Sequence, residues 1–356
     1  MIPSTVAEAP GKTPEQLFLE KLLRGFAETA ADETGAFRLY RVPRTLLPQL
    51  GPRVHCRCFH PAGGELRFRM KGSPVRFTLR RITEPDHPLF TPQSAVPVGI
   101  FHGDLQYDWF ALQEGDNPIE VKPLPDPAGA RSRLRGRFAA EVTRIVLPPF
   151  VEVRIVDWQG EMDPPRPGDE PEKRLLSYGS SITQGAYALL GTETYPAVLA
   201  RELGVDLCNL GFGGGAKLEP ELAAWIVERN DWHFATLEMG ANLHGLTPEE
   251  FRERVRNFLA PFAADPRQRP VFALDMLPTA GELTGREGAR EKAAAFRRIV
   301  REETAATGRP FMKTPEYGSL LSGASWYSTD LVHPAAHASE TIGGGLAKQL
   351  KAMGCC

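Results

Sequence analysis

Two architectures succeed each other in this chain of 356 residues: an all-β sandwich, then an α/β fold built on a parallel sheet. Three observations predict them. Short apolar–polar alternations separated by turn clusters run as far as Trp158. A segment rich in proline and charge, residues 159–171, then interrupts the pattern with almost nothing to bury. Beyond it, apolar strands alternate with helical patterns, as in a parallel sheet covered by helices on both faces. The division falls at 168/169, with a helix and a jelly-roll-like sandwich over 1–168 and an α/β domain over 169–356.

Taken in order, residues 14–29 read as an amphipathic helix, because Leu17, Phe18, Leu22, Leu23 and Phe26 recur at helical spacing. Cys56 and Cys58 read as alternating positions of one strand, with side chains on one face and no convergence with the neighbouring histidines on a metal. Residues 65–71 and 75–81 alternate cleanly around the Gly72-Ser73-Pro74 break. Further strands are expected at 96–101, 119–122, 142–147 and 151–158. Residues 131–137 place Arg131, Arg133, Arg135 and Arg137 on one face of an extended segment, which reads as a solvated sheet edge.

After the linker, strands are expected at 174–178, 205–209, 234–239 and 270–277. Helices are expected at 195–203, 220–229, 248–263, 287–307 and 339–353. Thr247 followed by Glu250 marks the start of the third helix as a capping box.

Composition narrows the function classes. Lys and Arg number 42 against 44 Asp and Glu, so no excess of charge points to nucleic acid or an anionic membrane. Five scattered cysteines do not make a disulfide framework. No run reaches the ~18 apolar residues of a membrane span, and no signal-like segment opens the chain. The expectation is a cytoplasmic protein without metal or cofactor.

Four short blocks carry the chemistry. Residues 175–183, Leu-Leu-Ser-Tyr-Gly-Ser-Ser-Ile-Thr, put Ser181 on a turn directly after an apolar strand. Near the other end, Asp330-Leu331-Val332-His333-Pro334 offers a base and an orienting carboxylate on one loop. Between them lie Asn209-Leu210-Gly211-Phe212-Gly213-Gly214 and Gly240-Ala241-Asn242, each after an apolar run. The first three blocks follow strand C-termini, where parallel sheets bind ligands. His333 can take the Ser181 proton while Asp330 holds the ring. The backbone N–H groups of Ser181 and Gly214 and the Asn242 amide are the candidate donors to an oxyanion.

These blocks resemble the SGNH hydrolases, also called the GDSL esterase/lipase family, over about residues 174–350. The resemblance implies Ser181 as nucleophile, Gly214 and Asn242 in the oxyanion hole, His333 as base, Asp330 as triad acid, and a three-layer α/β/α sandwich. Together with the β-rich first half, it is similar to a two-domain subgroup in which a carbohydrate-binding-module-like sandwich precedes the catalytic domain. Three positions depart from the family pattern. Ser180 stands where an Asp is usual, the dense glycines leave Gly213 or Gly214 as donor, and Leu243 replaces an acidic residue after Asn242.

The expected function is a serine esterase or acyl-hydrolase acting on a small-molecule ester, with a carbohydrate ester among the substrates in view. An acyltransferase is the alternative within the same chemistry, and a non-catalytic carbohydrate-binding protein the alternative outside it. Trp326, Tyr327, Tyr187, Leu189 and Leu190 are candidates to line the site mouth; His244 and His337 are expected at the surface or behind the site. A dinucleotide loop at the glycine cluster, with Glu238 at the end of the next strand, is the competing reading of that segment.

Overall fold

Alternation along the first half sends every second side chain inward, and two antiparallel sheets close over those side chains. The computed structural model describes residues 11–84, 89–126, 129 and 136–355. One sheet orders its strands Leu23–Arg24, Glu65–Met70, Val142–Val146, Val96–His102 and Leu105–Leu112, with Met162–Asp163 also paired to Glu65–Met70. The other orders Glu28–Ala31, Phe37–Tyr40, Glu152–Gln159, Val75–Ile82 and Gly115–Val121. Leu66, Phe68 and Ile145 from the first meet Phe77, Leu79 and Val153 from the second in one buried cluster.

The second half is a parallel sheet of Asp206–Gly211, Arg174–Gly179, Phe234–Glu238, Val271–Leu274 and Met312–Lys313, in that spatial order. The chain therefore begins inside the sheet, steps to one side, and then crosses to the other. That reversal leaves a crevice at the C-terminal ends of Arg174–Gly179 and Phe234–Glu238. Leu176, Tyr178 and Leu237 pack under Pro220–Glu228, Pro248–Ala263 and Ala289–Ala306. Leu175, Phe234 and Leu274 pack on the opposite face under Tyr195–Leu203 and Ala338–Ala352. The result is the three-layer α/β/α arrangement. The capping box forms as expected, with the Glu250 N–H on Thr247 Oγ1 at 3.2 Å and the Thr247 N–H on Glu250 Oε2 at 2.8 Å.

Strands at Phe37–Tyr40, Leu105–Leu112 and Met312–Lys313 are additional to the sequence reading, and two expected elements change type. The first helix stops at Leu22 and runs directly into the strand Leu23–Arg24, after which Gly25 at φ +87° turns the chain toward the strand Glu28–Ala31. The left-handed conformation is one glycine adopts freely, so the apolar spacing past Leu22 serves strands rather than a helix. Cys56 lies in a helix, Pro52–Arg57, and Cys58 caps it. Proline in its first turn and Gly51 before it favour that start. Arg131, Arg133 and Arg135 lie outside the described residues. Arg137 is not solvated edge: it donates to the Val205 carbonyl at 3.1 Å and pairs with Asp104 at 3.2 Å.

The two halves meet over a broad buried contact. Val42, Leu47, Leu50, Val54 and Cys58 belong to the same apolar cluster as Tyr178, Leu210 and Phe212. Arg41 is fully buried, donates to the Asn209 carbonyl at 3.0 Å and lies over the Phe212 ring. Arg67 reaches Asp206 at 2.7 Å, Glu65 at 2.7 Å and Glu170 at 3.0 Å. The proline-rich segment is pinned too: Met162 is buried and Asp169 accepts from Arg69 at 2.9 Å. Among the described residues no helix is long and apolar enough to cross a membrane, and no group of three or more His, Cys, Asp or Glu is placed to hold a metal ion.

Candidate active site

Ser181 opens a four-residue helix, Ser181–Gln184, at the end of the buried strand Arg174–Gly179. Ser180 caps it, its hydroxyl accepting from the Ile182 N–H at 3.2 Å. The turn is anchored from below by Glu238, at the end of the neighbouring strand. Glu238 Oε2 accepts the Ser180 N–H at 2.6 Å and the Thr183 hydroxyl at 3.1 Å. Burial pushes the Glu238 carboxyl above its ordinary value, against these hydrogen bonds. Glu238 is thus committed to the nucleophile turn and faces no dinucleotide loop.

Ser181 Oγ lies 2.7 Å from His333 Nε2, and His333 Nδ1 lies 2.6 Å from Asp330 Oδ2. The other carboxylate oxygen accepts from the Ser328 hydroxyl at 2.6 Å and the N–H groups of Val332 at 2.9 Å and His333 at 3.0 Å. Partial burial works against ionisation of Asp330, but these bonds outweigh it and hold the carboxyl well below its ordinary range. The loop is tightly folded. Leu331 sits at φ +53°, and the Ser328 N–H returns to the His333 carbonyl at 2.8 Å. Tyr187, also left-handed at φ +65°, places its ring 5.7 Å from the His333 ring.

The glycine block forms a second wall. Gly211 is required by close approach, since a Cβ there would meet the Gln184 backbone nitrogen at 2.2 Å. The Gly213 N–H is taken, donating to Gln184 Oε1 at 2.6 Å. No protein acceptor among the described residues engages the N–H of Gly214, which turns at φ +68°. Asn242 donates one amide proton to the Gly215 carbonyl, tying the third block to the second and leaving its other proton available.

Gln184 is a residue that sequence reasoning passed over. With its oxygen committed to Gly213, its amide nitrogen donates to the Pro149 carbonyl at 2.9 Å and meets His60 Nδ1 at 3.2 Å. His60 is buried, faces Glu84 with Nε2 at 3.2 Å, and burial pushes its pKa down to about 4. Groups from the β-rich half therefore brace the loop that carries Gly214. The residue pattern holds no signal for Gln184 or His60; the phase of the strand-end helix holds a weak one, since it turns Gln184 inward.

Other candidates are distributed differently from expectation. Tyr327 is buried in the core beside the last helix, and Trp326 packs on the His337 ring at 5.4 Å. Leu190 is buried, Leu189 is exposed, and Tyr187, also exposed, lies beside His333. His244 lines a cavity next to Ile182 and Val332.

Known proteins carry the same architecture. The model of the GDSL-like lipase/acylhydrolase family matches residues 172–307, a stretch that holds Ser181, Gly214 and Asn242 and stops short of Asp330 and His333. No curated protein sequence matches the chain. Among solved structures, a salicylyl-acyltransferase from a tetracycline biosynthetic pathway is similar at TM-score 0.77 and 17% identity, over 93% of this chain and 94% of that one. A candidate GDSL-like lipase from Bacteroides ovatus is similar at TM-score 0.70 and 18% identity, over 95% and 96%. A family two carbohydrate esterase from Cellvibrio japonicus follows at TM-score 0.62 and 12% identity, over 94% and 96%. At these identities the structural likeness establishes a shared fold, in both halves together. Residues 172–307 of this chain are a GDSL-like lipase/acylhydrolase domain, and the enzyme class this supports is an ester-bond hydrolase.

Proposed function

We propose that the protein is a serine acyl-hydrolase working through an acyl-enzyme on Ser181. The observation that carries this is the unbroken hydrogen-bonded chain from Ser181 Oγ through His333 to Asp330, at 2.7 and 2.6 Å. His333 Nε2 accepts the Ser181 proton as Oγ attacks the ester carbonyl. Asp330, ionised across the neutral range, holds the ring with Nδ1–H toward itself and stabilises the imidazolium. The negative charge that develops on the carbonyl oxygen is met by the N–H groups of Ser181 and Gly214 and by the free amide proton of Asn242. His333 then gives its proton to the departing alcohol. Water, activated by the same imidazole, releases the acyl group and restores Ser181.

A second reading shares every step but the last. The likeness to an acyltransferase over nearly the whole chain supports transfer of the acyl group to a hydroxyl acceptor in place of water. The likeness to a carbohydrate esterase supports a sugar as one partner of the ester. A panel of p-nitrophenyl esters and acetylated sugars, run with and without added alcohols, tests both. Release of p-nitrophenol that vanishes in Ser181→Ala supports the acyl-enzyme. Acyl products on the added alcohol, at the expense of free acid, favour transfer. Full ester turnover by Ser181→Ala would refute the proposal.

A further inference from the structure

A cavity of about 470 Å³ opens against the turns that carry Ser181 and His333. Ile182, Ala241 and Val332 line it, and each adjoins a residue of the site: Ser181, Asn242 and His333. Its opposite wall is apolar, formed by Met276, Leu277 and Phe296. Volumes of roughly 300–1,000 Å³ suit ligands of many heavy atoms, far beyond an acetyl group.

Two cations share the lining. Lys292 donates one ammonium proton to the His244 carbonyl at 2.6 Å and has two more to give. The Arg286 side chain meets no acceptor among the described residues, and Glu287, which also lines the cavity, makes no salt bridge to either cation. Glu238, the other acid in the lining, is turned toward Ser180 and Thr183. Both cations are exposed, so their remaining donors face solvent where they line the cavity, whose walls mix apolar side chains with Glu238, His244 and Thr279.

The exposed Tyr187 ring lies 5.7 Å from the His333 ring and is outside the cavity lining, so a second approach to His333 Nε2, open to a departing alcohol, runs beside it. Resting on the ester-cleaving reading of Ser181, we propose that the cavity takes the acyl group. That group is larger than acetyl, apolar along its length, and ends in a hydrogen-bond acceptor that meets Lys292 and Arg286.

The test uses the full chain and p-nitrophenyl esters of acetate, hexanoate and monoanionic adipate. Because each methylene placed in an apolar pocket is worth about tenfold or more in discrimination, kcat/KM for hexanoate should exceed that for acetate by at least about tenfold. Adipate should exceed hexanoate, and that ratio should collapse in Lys292→Gln and Arg286→Gln, chiefly through KM. Filling the wall with Ala280→Trp should lower the hexanoate-to-acetate ratio. A ranking led by acetate, or a loss in Lys292→Gln that is equal for hexanoate and adipate, overturns this inference alone. Inertness of the folded protein toward all three esters overturns the ester-cleaving reading and the inference with it.

Discussion

At the scale of single residues, Ser180 and Ser181 are adjacent hydroxyls with opposite duties. Ser180 faces inward, its N–H on Glu238 and its oxygen capping the turn, while Ser181 reaches His333. Ser180→Ala is therefore expected to lose stability on the scale of one N-cap, about 1 kcal/mol, and to keep its chemistry. Asn242→Ala should lower kcat by roughly 10²–10³ with little change in KM, because its amide serves the charge that develops only in the transition state. Steady-state kinetics on an activated ester checks both. Since hydrogen bonds hold the Asp330 carboxyl well below its ordinary range, its own protonation should take no part in any loss of kcat/KM in mildly acid buffer, which a pH–rate profile checks. Asp330→Asn should keep the loop and slow the reaction by on the order of 10³–10⁴, because a carboxamide no longer enforces the required ring tautomer. The hydrogen-bonded chain of Ser181, His333 and Asp330, the proposed triad, could be anticipated from the sequence because its parts are local: one serine on one turn, and Asp and His three residues apart. Glu238, Gln184 and His60 were not, because their roles arise only where distant segments touch.

At the scale of elements, the short helix Ser181–Gln184 links the nucleophile to the glycine loop. Gln184→Ala is expected to reduce kcat while KM holds, by freeing the Gly213 N–H and loosening Gly214. Gln184→Glu keeps the acceptor for Gly213 and loses the donor to Pro149 and His60, so it should recover only part of the rate. The same cluster sets a pH dependence of stability. His60 is neutral in the fold, with its pKa pushed from 6.5 to about 4, so below pH 6.5 the unfolded chain binds a proton that the folded chain refuses. Its contribution is complete above about 6.5 and is lost progressively as pH falls to about 4. Thermal unfolding followed across that window should show the decline, and His60→Gln should flatten it. Most strands and helices could be read from periodicity, and the helices at 195–203 and 248–263 have the expected ends. The misread ones had competing signals. Gly25 stood inside an apolar spacing that a helix could have used, and Pro52 stood before the Cys56–Cys58 alternation. The strand Leu105–Leu112 escaped because its exposure leaves almost no alternation to see.

At the scale of the whole molecule, the β-rich half is more than an appended module. Its residues complete the apolar layer under the parallel sheet, and its cations enter the α/β half at Asn209, Val205 and Asp206. The sandwich packs a core of its own, while the proline-rich segment, which reads as a linker in sequence, is pinned in the fold. We propose that the chain unfolds as one cooperative unit, so that calorimetry of the full protein shows a single transition and residues 169–356 alone do not fold. Asp206→Ala, which removes one of three carboxylates around the buried Arg67 guanidinium and a partner of Arg174, should cost about 1–3 kcal/mol and lower the Tm of the whole transition. Two well-separated transitions would contradict this.

The central claim is that Ser181 is the nucleophile of an acyl-enzyme. Its most direct test is covalent labelling of the full protein with a fluorophosphonate, located by peptide mass spectrometry. The account predicts one equivalent of label, carried on Ser181, absent from folded Ser181→Ala and strongly slowed in His333→Ala. Label on Ser180, or an unlabelled protein that is folded and still cleaves esters, would contradict it.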